Sequence, residues 1–156
     1  MDIILWRHAE AADGSIDLER PLTAKGQRQA QKAAAELAAR LPERYGLWVS
    51  QALRSRQTAG YLNTPNRTLP ELNPDADPGR IVPLLEGIAE NDTVVIVGHQ
   101  PWIGSLCAFL LNQNRQHPGW AVKKGAFWWF RCHPCGGVFL SRLKLMMTPN
   151  EITINL

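Results

Sequence analysis

Apolar runs that stop abruptly at a charged or imidazole side chain recur along this chain. Residues 2–6 form such a run, rich in Ile and Leu, and it gives way to Arg7 and His8, which predicts a buried strand with polar residues at its edge. Residues 47–50 repeat the pattern in short form. Residues 93–97 show it most clearly, since four of the five are Val or Ile, and Gly98-His99-Gln100-Pro101 follows directly. A polar loop over 10–20 carries Asp13-Gly14 turn chemistry, after which Pro21-Leu22-Thr23 introduces an Ala-rich helix predicted to reach Leu41. Further helices are predicted over 54–62, closed by Asn63-Thr64-Pro65, over 79–90, and over 102–111 with Pro101 near the first turn. Residues 126–132 and 138–143 read as a strand pair joined by a turn around Pro134-Cys135-Gly136-Gly137, and a last strand is expected over 152–154.

Strands alternating with helices imply an α/β fold: a three-layer sandwich with a mainly parallel central sheet and helices on both faces. Ligands of such sheets sit beyond the carboxyl ends of the strands. A length of 156 residues suits one domain spanning 1–156, and the interval 62–93 leaves no room for a large lid insertion. Hydrophobic residues at 45% and charged residues at 20% describe a globular chain rather than a disordered one. No apolar run approaches the roughly 18 residues of a membrane span, and Arg7 and His8 interrupt the first run before it could serve as a signal segment, so a cytoplasmic protein with no membrane partner is expected. Three cysteines cannot all pair with one another, which favours reduced thiols. The net charge of +3 is spread along the chain; no block argues for nucleic acid, and a weakly basic surface suits an anionic substrate.

The predicted strand ends bring chemistry together. Arg7 with His8, Arg54 a few residues beyond Ser50, and His99 would converge as two guanidiniums and two imidazoles. Arginine binds phosphate oxygens with a planar fork that stays charged, and a histidine with an unprotonated nitrogen is a nucleophile. Positioned cations stabilise the charge that develops during phosphoryl transfer, and their field keeps a neighbouring imidazole neutral.

Leu5-Trp6-Arg7-His8-Ala9-Glu10, then Arg20-Pro21-Leu22-Thr23 and Gly26, then Val49-Ser50-Gln51-Ala52-Leu53-Arg54-Ser55-Arg56-Gln57-Thr58-Ala59, then Val97-Gly98-His99-Gln100-Pro101 resemble, in order, the motifs of the histidine phosphatase superfamily, also called phosphoglycerate mutase-like. The resemblance runs from residue 2 to about residue 111 and is to the short SixA-type branch, the protein phosphohistidine phosphatases. It implies a metal-independent phosphatase without a cofactor. His8 would be the nucleophile, Arg7, Arg54 and His99 would bind phosphate, and Arg20 would lie near the pocket. Two departures stand out: the family's Arg-His-Gly is Arg-His-Ala here, so Ala9 lacks the φ freedom of glycine, and Ser-Pro is Ser50-Gln51.

Larger family members supply a carboxylic acid to the leaving oxygen. The candidates here are Glu71, in Leu69-Pro70-Glu71-Leu72, and Asp17, in the loop before Arg20. A phosphohistidine whose second nitrogen is protonated leaves as neutral imidazole and needs less help than an alkoxide. The favoured substrate is therefore phosphohistidine on a carrier or phosphotransfer domain, with inorganic phosphate as product. The alternatives are a phosphatase or mutase of small phosphoesters and a catalytically inactive phosphate-recognition module. Taken singly, Arg7 could pair with Asp2 or Glu10, and either histidine could be a core residue; Arg20 could equally be a loop salt bridge, and Glu71 could be structural. Cys132-His133-Pro134-Cys135 lacks the second ligand pair of a closed zinc site. None of the cysteines has an Arg six positions on, as a cysteine phosphatase requires, and no Gly-x-Ser-x-Gly elbow is present.

Overall fold

Residues 2–7 form a strand buried on both faces, as an unbroken apolar run in the middle of a parallel sheet should be. The computed structural model describes residues 1–113, 119–136 and 138–153. Its strands are β1 (Asp2–Arg7), β2 (Gly46–Val49), β3 (Arg67–Thr68), β4 (Thr93–Gly98), β5 (Phe127–Cys135) and β6 (Val138–Met147). They form one sheet in the order β3-β2-β4-β1-β5-β6. The first four run parallel, and β5 and β6 complete the sheet antiparallel. The mainly parallel sandwich is thus the observed architecture.

The alternation along each strand splits the core into two layers. Ile3, Leu5, Val94 and Ile96 pack with helices α3 (Pro78–Glu86) and α4 (Trp102–Asn112), while Ile4, Trp6, Val95 and Val97 pack with α1 (Ala24–Ala38) and α2 (Leu53–Gly60). Because β1 and β4 are neighbours whose chains leave toward opposite faces, a crevice opens where the two strands end. His8 and His99 begin on its two sides. No helix among the described residues is long and apolar enough to cross a membrane.

Local chemistry explains the helix limits. The Thr23 hydroxyl caps α1 by accepting from the Gly26 amide, and Ala30, Ala33, Ala34 and Leu37 turn one face to the core. The helix closes at Ala38, short of the expected Leu41, although the Arg40 and Leu41 amides both still donate to the Leu37 carbonyl in a tightened last turn. Asp77 caps α3 with Pro78 in its first turn, and that helix stops at Glu86, short of the expected Glu90, with Gly87 as its cap.

The strand pair is longer than its apolar pattern. Pro134 and Cys135 pair with Phe139 and Val138, so the expected turn residues belong to β5, and the reversal begins at Gly136, whose φ is +57°. Cys132 is buried and Cys135 exposed, both as free thiols. Of the strand expected over 152–154, residue 154 lies outside the described residues; Pro149–Glu151 form a short 3-10 turn and no strand follows at Ile152. The two-residue β3 was not expected, because no periodicity can be read from so few positions.

One close approach fixes the loop after β1. A Cβ placed on Gly26 would lie 2.0 Å from the Glu10 carbonyl oxygen, so α1 reaches the backbone beside His8 only because residue 26 lacks a side chain. Gly26→Ala should therefore lower stability by about 1–3 kcal/mol, as overpacking does. A urea denaturation midpoint equal to that of the parent chain would contradict this.

Candidate active site

His8 is pinned from both sides, by the end of β4 and by the segment that leads into β5. Its amide donates to the Gly98 carbonyl at 3.0 Å, its carbonyl accepts from Gly125 N at 3.0 Å, and the Arg7 amide donates to Ala126 O at 3.0 Å. Gly125 reaches this position with φ +77°, a conformation that suits glycine. Ala9 is absent from the non-glycine residues with positive φ, which are Asn63 and Gln113 among the described residues. The alanine in place of the family's glycine is therefore accommodated without left-handed backbone.

The His8 ring lies 2.7 Å through Nδ1 from the Ala9 carbonyl oxygen. A carbonyl can only accept, so Nδ1 carries the proton, and in the neutral ring the lone pair belongs to Nε2. Burial, reinforced by the charges of Arg54, Arg7 and Arg20 and opposed by the Ala9 hydrogen bond, lowers the pKa of His8 to about 4. Near neutral pH the ring is an available nucleophile.

His99 is almost fully buried, its ring centroid 4.9 Å from that of His8. Its Nε2 is 2.8 Å from Ser50 Oγ and 3.3 Å from Ser55 Oγ. The Ser50 hydroxyl donates to Asn73 Oδ1 at 3.2 Å, which makes Nε2–H the donor to Ser50 and leaves Nδ1 bare; Nδ1 is buried with no hydrogen-bond partner among the described residues. Burial, together with His8 and Arg54, lowers the pKa of His99 to about 2 despite the opposing charge of Asp17. A proton on Nδ1 would turn it from acceptor to donor, and an entering anion favours that change.

The guanidiniums are held differently. Arg7 donates from Nη1 to Val122 O at 2.7 Å, while its Nε is buried without a hydrogen-bond partner among the described residues; the candidate partner Asp2 pairs instead with Arg131 at 2.9 Å. Arg54, 4% exposed, donates from Nη1 to Asp17 O at 2.7 Å and from Nη2 to Asp17 Oδ2 at 3.0 Å. Arg20 donates from Nη1 to Asp17 Oδ1 at 3.1 Å and from Nε to Ala12 O at 2.8 Å, a loop salt bridge of the kind weighed equally with phosphate contact.

Of the two candidate acids, Asp17 is ion-paired and Glu71 is exposed. Hydrogen bonds from Arg54, then Arg20, and the charges of both hold the Asp17 pKa below the usual carboxylate range against partial burial, so Asp17 is ionised. Glu71 is exposed in a short 3-10 turn, on the same cleft of about 680 Å³ that Asp17 lines. Among the described residues no three His, Cys, Asp or Glu side chains gather as a metal-binding group.

Ser50, Ser55 and Thr58 stand inside the quoted motif, yet sequence spacing does not reveal that they hold ring nitrogens and backbone. Asn73 carried no sequence signal at all. Its amide is oriented by Gln51, whose N donates to Oδ1 at 2.9 Å and whose Oε1 accepts from Nδ2 at 2.8 Å.

The profile described as Histidine phosphatase superfamily (branch 1) matches residues 3–77. An uncharacterized protein of Mycobacterium tuberculosis (strain CDC 1551 / Oshkosh) is 35% identical over 111 residues, covering 68% of this chain and 70% of its own. The chain belongs to the histidine phosphatase superfamily. Within the superfamily, a solved protein histidine phosphatase SixA complexed with tungstate aligns with a TM-score of 0.77 and 28% identity over 96% of this chain and 98% of that one. An alpha-ribazole phosphatase from Shigella flexneri aligns with a TM-score of 0.74 over the whole of both chains, but at 18% identity this likeness shows the fold alone.

Both histidines of this superfamily member are folded in the neutral state, with pKa values below the ordinary 6.5. An unfolded chain binds those protons once pH drops below about 6.5, whereas the folded one resists down to about 4 at His8. Their contribution to stability is thus complete above that window and is lost as pH falls through it. Denaturation midpoints should decline from pH 6.5 toward 4, and replacing His8 with Gln should flatten the decline; an unchanged slope in that variant would contradict the sign.

Proposed function

We propose that this chain is a phosphatase acting through a covalent phosphohistidine on His8, and that its substrate is phosphohistidine displayed on a partner protein. The observation that carries the reading is the 2.7 Å contact of His8 Nδ1 with the Ala9 carbonyl, which leaves the Nε2 lone pair free in the field of Arg7 and Arg54. In the first half-reaction Nε2 bonds to phosphorus as the bond from phosphorus to the leaving nitrogen or oxygen breaks, and the leaving group takes the electron pair. Arg7, Arg54 and, once protonated, His99 hold the equatorial oxygens as charge redistributes. Water then attacks phosphorus, the bond to Nε2 breaks, and inorganic phosphate departs from a regenerated imidazole.

Several features favour phosphohistidine. Asp17 is held ionised by Arg54 and Arg20 and so is not poised to protonate a departing alkoxide, whereas a phosphohistidine leaving as neutral imidazole needs no such proton. The 28% identical relative solved with tungstate, a tetrahedral oxyanion, is a protein histidine phosphatase. Small phosphoesters are the second reading, favoured by the adjoining cleft of about 680 Å³, which is large enough for a metabolite. Against the inactive-module reading stands the gathering of Arg7, Arg54 and two neighbouring imidazoles, the ionic groups that turnover would need.

Specificity constants measured against phosphohistidine proteins, sugar phosphates and an aryl phosphate separate these readings. Phosphohistidine should be preferred; equal or faster turnover of sugar phosphates would assign the chain to small phosphoesters, and no turnover of any substrate would favour the module. His8→Ala should abolish both phosphate release and acid-labile labelling. Arg54→Ala should lower kcat/KM by about 10²–10³-fold, the usual loss of one charge-stabilising group; a variant with parental kcat/KM would remove Arg54 from the mechanism.

A further inference from the structure

We infer that Gln29 and Thr58 are positioning residues that set the His8 tautomer by holding the two peptide groups on either side of Ala9. The role in turnover rests on the phosphatase reading above; the role in the tautomer does not.

The carbonyl that takes the His8 Nδ1 proton belongs to the peptide between Ala9 and Glu10. The N–H of that same peptide donates to Gln29 Oε1 at 2.9 Å. Since a backbone N–H can only donate, the Gln29 amide must present oxygen there. The preceding peptide, between His8 and Ala9, donates its N–H to Thr58 Oγ1 at 3.1 Å. Thr58 has a single hydroxyl proton, and it goes to the Arg54 carbonyl at 2.7 Å. Both peptide planes are therefore clamped, one from α1 and one from α2, and Ala9 and Thr58 are wholly buried.

Two consequences follow from these bonds. A peptide whose N–H is already bonded has a more polarised carbonyl, so Gln29 strengthens the acceptor that holds the Nδ1 proton. Thr58 sits one turn after Arg54 and ties the backbone of that arginine to the backbone of the candidate nucleophile, which fixes the spacing of guanidinium and imidazole. Without the clamp the Ala9 carbonyl can swing away, the ring proton can move to Nε2, and the lone pair needed for attack is lost. Phosphate affinity, which comes from the guanidiniums, is not part of this device.

Imidazole ¹⁵N chemical shifts of His8, together with kcat and KM on an aryl phosphate, test the inference in Thr58→Val, Thr58→Ser, Gln29→Leu and Gln29→Glu. The parent should show the Nδ1–H tautomer. Gln29→Leu and Thr58→Val should show a mixture, with kcat lower by about tenfold to a hundredfold and KM within about twofold, in line with the cost of a slightly misplaced reactive group. Thr58→Ser and Gln29→Glu, which keep an acceptor at the same place, should restore both readouts. A pure Nδ1–H tautomer in both Gln29→Leu and folded Thr58→Val would overturn the proposal, as would a raised KM with unchanged kcat. If Thr58→Val does not fold, Gln29→Leu decides, because Gln29 is only partly buried. A parent with no turnover would defeat the phosphatase reading and leave the tautomer measurement to judge the clamp.

Discussion

A histidine ring can place its proton on either nitrogen, and the side that remains bare decides what the ring can do. In this chain the choice is made by the 2.7 Å hydrogen bond from His8 Nδ1 to the carbonyl of the next residue. The rest of the site depends on that contact. Burial and neighbouring guanidiniums keep the ring neutral, but neutrality alone would not aim the lone pair; the Ala9 carbonyl does that. His99 is treated in the complementary way, with Nε2 committed to Ser50 and Nδ1 left bare and buried. Two imidazoles of the same chemical type thus enter the site with opposite nitrogens unprotonated.

The sheet makes this arrangement inexpensive. β1 and β4 lie side by side, and their ends deliver His8 and His99 to one crevice without a long loop in either case. α1 and α2 then press against the loop after β1, through Gly26, Gln29 and Thr58, so the reactive backbone is held by elements whose own stability comes from the apolar layer below. The third wall is Asp17, which spans Arg54 and Arg20. It presents a carboxylate to the guanidinium proposed to hold phosphate, so an entering phosphoryl group competes with an anion the chain already supplies.

Much of this was legible in the sequence. Apolar runs ending at Arg7-His8 and at Gly98-His99 carried both the strand assignment and the candidate chemistry, because a buried parallel strand and a ligand crevice at its carboxyl end have one physical cause. Arg54 was legible from its motif and its distance beyond Ser50. What hydrogen bonds decide was not legible: Asn73 behind Ser50, Gln29 on the Glu10 amide and Thr58 on Ala9 meet their partners across 19 to 49 positions of chain, and nothing in the local pattern marks those contacts. The charge state of Asp17 was hidden for the same reason, since a carboxylate in a polar loop reads as a proton donor until its two arginine partners are seen. The pairing of Pro134 and Cys135 was missed because turn-forming residues can continue a ladder when the partner strand is long enough.

The central claim is one of aim: a lone pair on His8 Nε2 directed at the phosphorus of an anion held by Arg7, Arg54 and His99. A crystal structure with orthovanadate measures it directly, since vanadate accepts a fifth ligand in the geometry of the transferring phosphoryl group. Vanadium bonded to His8 Nε2, with its equatorial oxygens against both guanidiniums and Asp17 displaced from Arg54, is the expected result. Vanadate bonded through His8 Nδ1, or bound away from His8 with Asp17 still on Arg54, would contradict it.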